Sequence, residues 1–491
     1  MTEKSDKEAG ERESISHGDI TIQTHKPFTT LSALGIGYGT TNTAVGLLLV
    51  LGSTLPMGGS PLFFWGFLLM AGVGLATATT LAELASAMPH PGGQYIWVNR
   101  LAPPRSRRFL SYITAIISWV AAVATGASAC LSVPVGVCTT ITLLNPNFVY
   151  KRWMGFVGFQ ILNVLTVLCA SFEHALPRIS KAMLLFSCVT IGVIFVTLFA
   201  MSDTHVAAKD FFVTSVNVSG WQKGIAFIIG MNGANWSFSC LDVATHLAEE
   251  IPSPGTNIPR ALMWTIVVGF GSGLLVVLSV LINLPSIDGA ADNSAVALFY
   301  RITGSKAAAV GLWIPVLITT AGAMWSIQTW QSRLAWTISR EGGFPLHRHL
   351  SKLAPAPFHT PFWSLLWSAT GTAIFGCLYL GSDLAFNSLI STGILLQYIS
   401  YSIPVILVLL QGRSTFQHGS FWYPKLGLLA NAVMLAWTVV AIIFYCFPYY
   451  LPAVADQMNY ASAVLAAIGI LTTALWFCYA KKNYEVKELL E

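Results

Sequence analysis

Charged residues are scarce in this sequence: Asp, Glu, Lys and Arg make up 10% of 491 residues, against about 25% in soluble domains. A soluble chain of this length cannot cover its surface with so few charges, which excludes a large water-soluble body. The net charge of +5 does not point to nucleic acid, because the basic residues stand in short segments between apolar runs, where they set membrane orientation. The eight cysteines lie mostly inside apolar stretches and show no CxxC or Cys/His spacing, so they read as small buried apolar residues and not as metal ligands. There is no phosphate-binding P-loop, no Gly-rich dinucleotide turn after a strand and no nucleophile elbow. ATP-driven pumping and membrane enzymology therefore lack residues to carry them, and no cofactor or metal is implied. Residues 1–28 contain no apolar run and are expected to form a disordered tail, not a signal peptide. The first apolar run then serves as an uncleaved anchor.

What the chain has in abundance is apolar length, with a mean hydropathy of +0.65. Runs able to cross a bilayer occur at about 31–52, 61–87, 109–140, 153–172, 182–202, 221–247, 261–284, 307–336, 361–380, 384–410, 426–448 and 458–480. The expected fold class is an all-α polytopic membrane protein of 12 transmembrane helices. An even count puts both termini on one side. With the N-terminus inside, 20 of the 26 lysines and arginines fall on inner segments, so the positive-inside rule places both termini in the cytosol. The plasma membrane is the expected location, with the vacuolar membrane as the alternative. Asn217-Val218-Ser219 is a glycosylation sequon in an outer loop on this topology.

Two spans carry polar residues where lipid-facing helices do not. The stretch 224–260 begins as an apolar helix, then places Gly230, Asn232, Gly233, Asn235, Ser237, Ser239 and Asp242 within one bilayer thickness. Unpaired polar groups cost several kcal/mol in hydrocarbon, and an Asp at a span centre costs at least about 2.5 kcal/mol. The first span reads LSALGIGYGTTNTAVGLLLVL; its glycines weaken the helix, and Tyr38, Thr40, Thr41, Asn42 and Thr43 are polar at mid-depth. Both read as discontinuous helices lining a substrate site, as in transporters built from inverted repeats. Breaks in spans 1 and 6 are five helices apart, the spacing of two five-helix repeats, here about 29–202 and 221–410. Tight interhelical packing is the competing explanation of such residues. The transporter domain then covers 29–480, with helices 11 and 12 at 426–480 and a cytosolic tail at 481–491.

Other polar positions carry less. Glu83 near the inner end of span 2 reads as a gate or a loop anchor. Arg333, Arg340 and Glu341 mark the inner end of span 8, and Gln328, Thr329 and Gln331 inside it either face the pathway or bond to neighbouring helices. His347, His349 and His359 lie in a basic loop without a fourth ligand nearby, which reads as solvated loop.

Several blocks together resemble the amino acid–polyamine–organocation superfamily, and within it the amino acid/choline transporter family that includes choline and 4-aminobutyrate permeases. They are GIGYGTTNT in span 1, LAELASAMPHPGGQYIWVNRLAPPRSRRFLSY after span 2, SFSCLDVATHLAEEIPSPGTNIPRAL in span 6 and SRLAWTISREGGFPLHRHLS after span 8. The resemblance covers residues 30–480. It implies a five-plus-five inverted-repeat fold with broken helices 1 and 6. It also implies secondary transport by alternating access, with spans 1, 2, 6 and 7 rocking against a scaffold. The expected partners are a small amine or amino acid, a proton and the lipid bilayer. On this resemblance the unwound segment of span 1 falls on Gly39, Thr40, Thr41 and Asn42, and that of span 6 on Ser239, Cys240, Leu241 and Asp242. Amino-acid-selective relatives often carry a Gly-Ser-Gly type turn in span 1 that binds the substrate carboxylate through backbone N–H, and this chain has Gly-Thr-Thr-Asn there; close relatives usually have Gly where Cys240 stands, so its Cβ and sulfur narrow the pocket. Trp236 matches an aromatic position that stacks on cationic substrates, and Tyr38 is a second aromatic nearby. The expected substrate-binding set is therefore Tyr38, Gly39, Thr40, Thr41, Asn42, Trp236, Ser239, Cys240 and Asp242. Asp242, an intramembrane carboxylate, is the first candidate for proton coupling and His246 the second. The alternative function is a nutrient sensor on the same fold that binds without net transport.

Overall fold

A computed structural model describes residues 29–172, 176–203, 205–284, 293–355, 360–381, 384–455 and 458–486. The tail expected at 1–28, His359 and residues 487–491 lie outside the described residues. Among the described residues the chain is helical, without a strand.

Among the described residues ten helices are long and apolar enough to cross a membrane, and they account for 11 of the 12 crossings. The first, Leu31–Ala87, runs 57 residues, roughly 85 Å at 1.5 Å per residue, against an apolar bilayer core of about 30 Å. It holds spans 1 and 2, and the chain reverses between Pro56 and Pro61 at Gly59, whose φ of 67° suits a residue without Cβ. Loop 213–221 packs over this turn, with the Val218 N–H donating to the Pro56 carbonyl at 2.9 Å. Span 6 is the other crossing outside the ten. It is divided into a helix Lys223–Trp236 and a 3₁₀ helix Leu241–Leu247, each too short to cross alone.

The remaining spans are Arg107–Leu144 (3), Arg152–Ala170 (4), Leu176–Met201 (5), Pro254–Asn283 (7), Lys306–Arg340 (8), Phe362–Gly381 (9), Ala385–Gln411 (10), Pro424–Phe444 (11) and Ala461–Asn483 (12). A short helix, Gln94–Leu101, joins spans 2 and 3. Spans 1 and 2 pack most extensively on spans 6 and 7, whereas span 3 packs on spans 8 and 10. These are two groups of helices, and both breaks belong to the first. Burial separates inner from outer helices: the most apolar window of span 3 is 78% buried, against 22% in span 12. Outer spans turn residues such as Leu185 and Ile470 outward, as lipid contact requires.

The expected cytosolic tail at 481–491 begins as packed structure. Tyr484 is fully buried, its hydroxyl 2.8 Å from Ser111 Oγ. Arg108 donates to the Tyr484 carbonyl at 2.6 Å, and the Glu485 N–H donates to the Glu341 carbonyl at 3.0 Å. The segment thereby ties span 12 to the adjoining ends of spans 3 and 8.

Candidate substrate site and buried carboxylate

The break in span 1 is a single residue. Helix Thr30–Thr41 ends and Asn42 takes a left-handed conformation (φ 35°, ψ 58°), one that Asn adopts more readily than most residues. A new helix starts at Thr43. Asn42 Oδ1 accepts from Ser187 Oγ on span 5 at 3.1 Å, and Thr40 Oγ1 donates back to the Ile36 carbonyl. The Thr41 hydroxyl is buried without a hydrogen-bond partner among the described residues.

The break in span 6 is longer. After Trp236 the chain makes a turn through Ser237–Ser239, and Ser239 Oγ donates to the Trp236 carbonyl at 2.7 Å. Cys240 is left-handed at φ 63°, which costs a residue bearing a Cβ about 1–2 kcal/mol. Its N–H donates to Gln397 Oε1 on span 10 at 2.8 Å. The breaks touch: a Cβ built on Gly46 would lie 2.9 Å from Ser237 Oγ and 3.2 Å from Ser237 Cα.

Between them lies a small cavity, about 380 Å³ of empty space when its open mouth is counted. Six residues of the expected set line it: Thr40, Thr41, Asn42, Trp236, Ser239 and Cys240. Thr125 of span 3 and Thr320 of span 8 complete its polar wall, and no charged side chain lines it. Helix Lys223–Trp236 ends here, so the negative end of its dipole faces the site, and the Cys240 N–H is engaged by Gln397. Both features suit a cation better than a carboxylate.

Three expected residues do not line this cavity. Gly39 is absent from its wall. Tyr38 is fully buried, and its hydroxyl donates to Ser272 Oγ of span 7 at 2.9 Å. Asp242 sits beyond the break, 1% exposed. There Tyr401 OH donates to Asp242 Oδ1 at 2.6 Å and Gln94 Nε2 donates to Oδ2 at 2.7 Å. His246 Nε2 lies 3.1 Å from the same Oδ2, and His246 Nδ1 lies 2.7 Å from the Pro91 carbonyl. The carboxylate therefore belongs to a network among span 6, span 10 and the short helix Gln94–Leu101, not to the cavity wall.

Sequence reasoning did not single out Gln94, Thr125, Gln397 or Tyr401. The signal for the last two is their i, i+4 spacing, which puts both on one face of span 10. Glu83 is a loop anchor: Arg413 donates to its two oxygens at 2.9 and 3.0 Å, and the Tyr423 N–H donates at 3.0 Å. Gln328 and Gln331 bond between helices, Gln328 to Asn163 Oδ1 at 2.8 Å and Gln331 to the Ala122 carbonyl at 3.0 Å. Arg333 pairs with Glu250 at 2.9 Å and Arg340 with Glu249 at 3.2 Å, tying span 8 to the chain just after the 3₁₀ helix. At the sequon, Asn217 Nδ2 donates to the Trp221 carbonyl at 2.8 Å and Ser219 is fully buried, so the amide that a glycan would need is engaged.

Residues 28–471 match the family described as amino acid permease. A protein of Metarhizium robertsii named "Transmembrane transporter swnT" is 69% identical over 97% of this chain and 95% of its own length. A "Swainsonine transporter swnT" of Arthroderma benhamiae is 68% identical over 96% of this chain and 94% of its own. The "Choline transporter" of Saccharomyces cerevisiae is 35% identical over 96% and 84%.

Proposed function

The chain belongs to the amino acid permease family, and from that premise we propose a secondary transporter of small amines, with swainsonine as its first candidate substrate. It is a multi-pass membrane transporter and not an enzyme. The observation that carries the substrate reading is the chemistry of the cavity: an indole, several hydroxyls and one amide, with no cationic residue to pair with a carboxylate. Swainsonine is a small hydroxylated bicyclic amine. Its ammonium would lie over Trp236, an interaction worth about 0.5–2 kcal/mol, and its hydroxyls would bond with Thr41, Asn42, Thr125 and Thr320. The relative named for swainsonine is 68% identical and the one named for choline 35%, which favours swainsonine over choline.

Transport proceeds by alternating access, with spans 1, 2, 6 and 7 moving against spans 3, 8 and 10, and is driven by protons. Both termini face the cytosol in this reading, and the plasma membrane is the location. Uptake of labelled swainsonine by cells expressing the chain, at external pH 5.5 and 7.5, tests it. Saturable uptake that is faster at the lower pH supports both substrate and coupling. Binding without uptake or exchange favours the sensor reading, and no binding of swainsonine or choline refutes the substrate class. For orientation, Cys in place of the exposed Val213 should add labelling by an impermeant maleimide in intact cells, above that of the native cysteines. Labelling only after permeabilisation would reverse the topology.

A further inference from the structure

We propose that Asp242 and His246 together hold one exchangeable proton, and that its loss releases the turn Met88–Gly93 from the break in span 6. This rests on the transporter reading for its purpose, but not for its geometry.

The inference follows from counting donors. The Pro91 carbonyl can only accept, so His246 Nδ1, 2.7 Å away, must carry a hydrogen. His246 Nε2 lies 3.1 Å from Asp242 Oδ2. If the carboxyl is ionised, Nε2 must donate as well, and the ring is an imidazolium. If the ring is neutral, its only hydrogen is on Nδ1, and the carboxyl must be protonated to donate to Nε2. Either way the pair holds one proton more than a carboxylate beside a neutral imidazole. Removing that proton to water leaves one hydrogen for two contacts, and a lone pair faces either Asp242 Oδ2 or the Pro91 oxygen. Unmade contacts between buried acceptors are costly, so one contact opens.

The turn is built to respond. A Cβ on Gly93, whose φ is 52°, would lie 3.1 Å from both His246 Cε1 and Thr245 Oγ1, so turn and 3₁₀ helix pack without slack. Competing groups around the pair are committed elsewhere. His90 Nδ1 accepts from the Gly92 N–H at 2.9 Å, and burial holds its pKa down at about 4, with Arg340 and Arg100 adding to the effect. Span 8 offers Arg333 and Arg340, paired with Glu250 and Glu249. Span 2 offers Glu83, paired with Arg413. Span 10 offers Tyr398 and Tyr401, which donate to Asn235 and Asp242. Span 1 contributes Tyr38, bonded to Ser272, span 7 an exposed Arg260, and the break itself Cys240.

The pair also communicates with the cavity. Gln397 accepts from the Cys240 N–H and donates to Thr125 Oγ1 at 3.0 Å. Tyr401 OH lies 3.3 Å from Gln397 Oε1 and 2.6 Å from Asp242 Oδ1. A substrate that moves Cys240 or Thr125 changes which acceptor Tyr401 serves, and so changes how firmly the pair keeps its proton.

Hydrogen exchange of the purified full chain, read by mass spectrometry and corrected for intrinsic rate, tests this without substrate. The peptide spanning 88–94 should lose about tenfold protection between pH 5 and pH 8, the scale of one hydrogen bond to a charged group. Asp242→Asn presents a permanent donor to a neutral His246, so the turn should stay protected at both pH values. His246→Gln cannot donate to both partners, so the turn should be open at both. A wild-type turn indifferent to pH, or the same loosening in both variants, overturns the proposal. Pumping of swainsonine is read separately in proteoliposomes. Its absence with the exchange pattern intact refutes the transport reading and leaves the shared proton standing.

Discussion

The breaks in spans 1 and 6 look alike in sequence, each a run of small and polar residues at mid-depth, but they are built differently. The first is a one-residue hinge at Asn42 between two α-helices, and Thr40, Thr41 and Asn42 all face the cavity. The second is a turn followed by a 3₁₀ helix, and it serves two places. Ser239 and Cys240 face the cavity, while Asp242 and His246 face the opposite way, onto the turn 88–93 and span 10. A 3₁₀ helix repeats every three residues, so neighbouring polar residues point to different partners. On the proposed function the short break would bind substrate, and the long one would bind it and also carry the buried carboxylate network.

Changes at the long break should therefore cost the most. Asp242→Ala leaves Tyr401, Gln94 and His246 without their shared partner. Removing one partner of a buried pair costs about 3–5 kcal/mol, so a large fall in thermal stability and loss of transport are expected. Retained stability would mean the network is ornamental. Next in size is an acid effect at the turn. His90 is held neutral in the folded chain, with its pKa lowered from 6.5 to about 4. It contributes stability that is full above pH 6.5 and lost as pH falls through 4. Thermal unfolding of the wild type should show this loss, and His90→Gln should reduce it.

At the short break the expected effect is on affinity alone. Thr41→Val removes a hydroxyl that bonds to no described residue, so swainsonine binding should weaken by about tenfold, one hydrogen bond's worth, with little change in melting temperature. Equal losses in both would place Thr41 in the packing. The smallest effect is Cys240→Gly. It relieves a left-handed residue and should stabilise the chain by about 1 kcal/mol, while enlarging the cavity enough to broaden the range of amines accepted.

Much of this was legible before any coordinates. Apolar run lengths gave the 12 crossings, and the polar stretches around Thr41 and Ser239 marked both breaks, because lipid tolerates such groups only beside a cavity or a partner. Side-chain direction was not legible. Asp242 is three residues from Ser239, yet it belongs to a different site, because a left-handed Cys240 and a 3₁₀ helix rotate it away. Nor could one sequence reveal that Gln397 and Tyr401 cap that break from 157 and 159 residues away, since span 10 is otherwise an ordinary apolar helix. Gln328 and Gln331 were ambiguous because hydrogen bonding between helices and lining a pathway demand the same residue types.

In the proposed transporter the substrate's cation rests on Trp236 between the two breaks. Equilibrium binding of labelled swainsonine to the purified full chain, compared across wild type, Trp236→Phe and Trp236→Leu, tests it most directly. Phe keeps a π-face and Leu does not, so a modest loss is expected for Phe and a clearly larger one for Leu, up to about 30-fold for a contact worth about 2 kcal/mol. Equal affinities in all three, with the proteins equally stable, would contradict it.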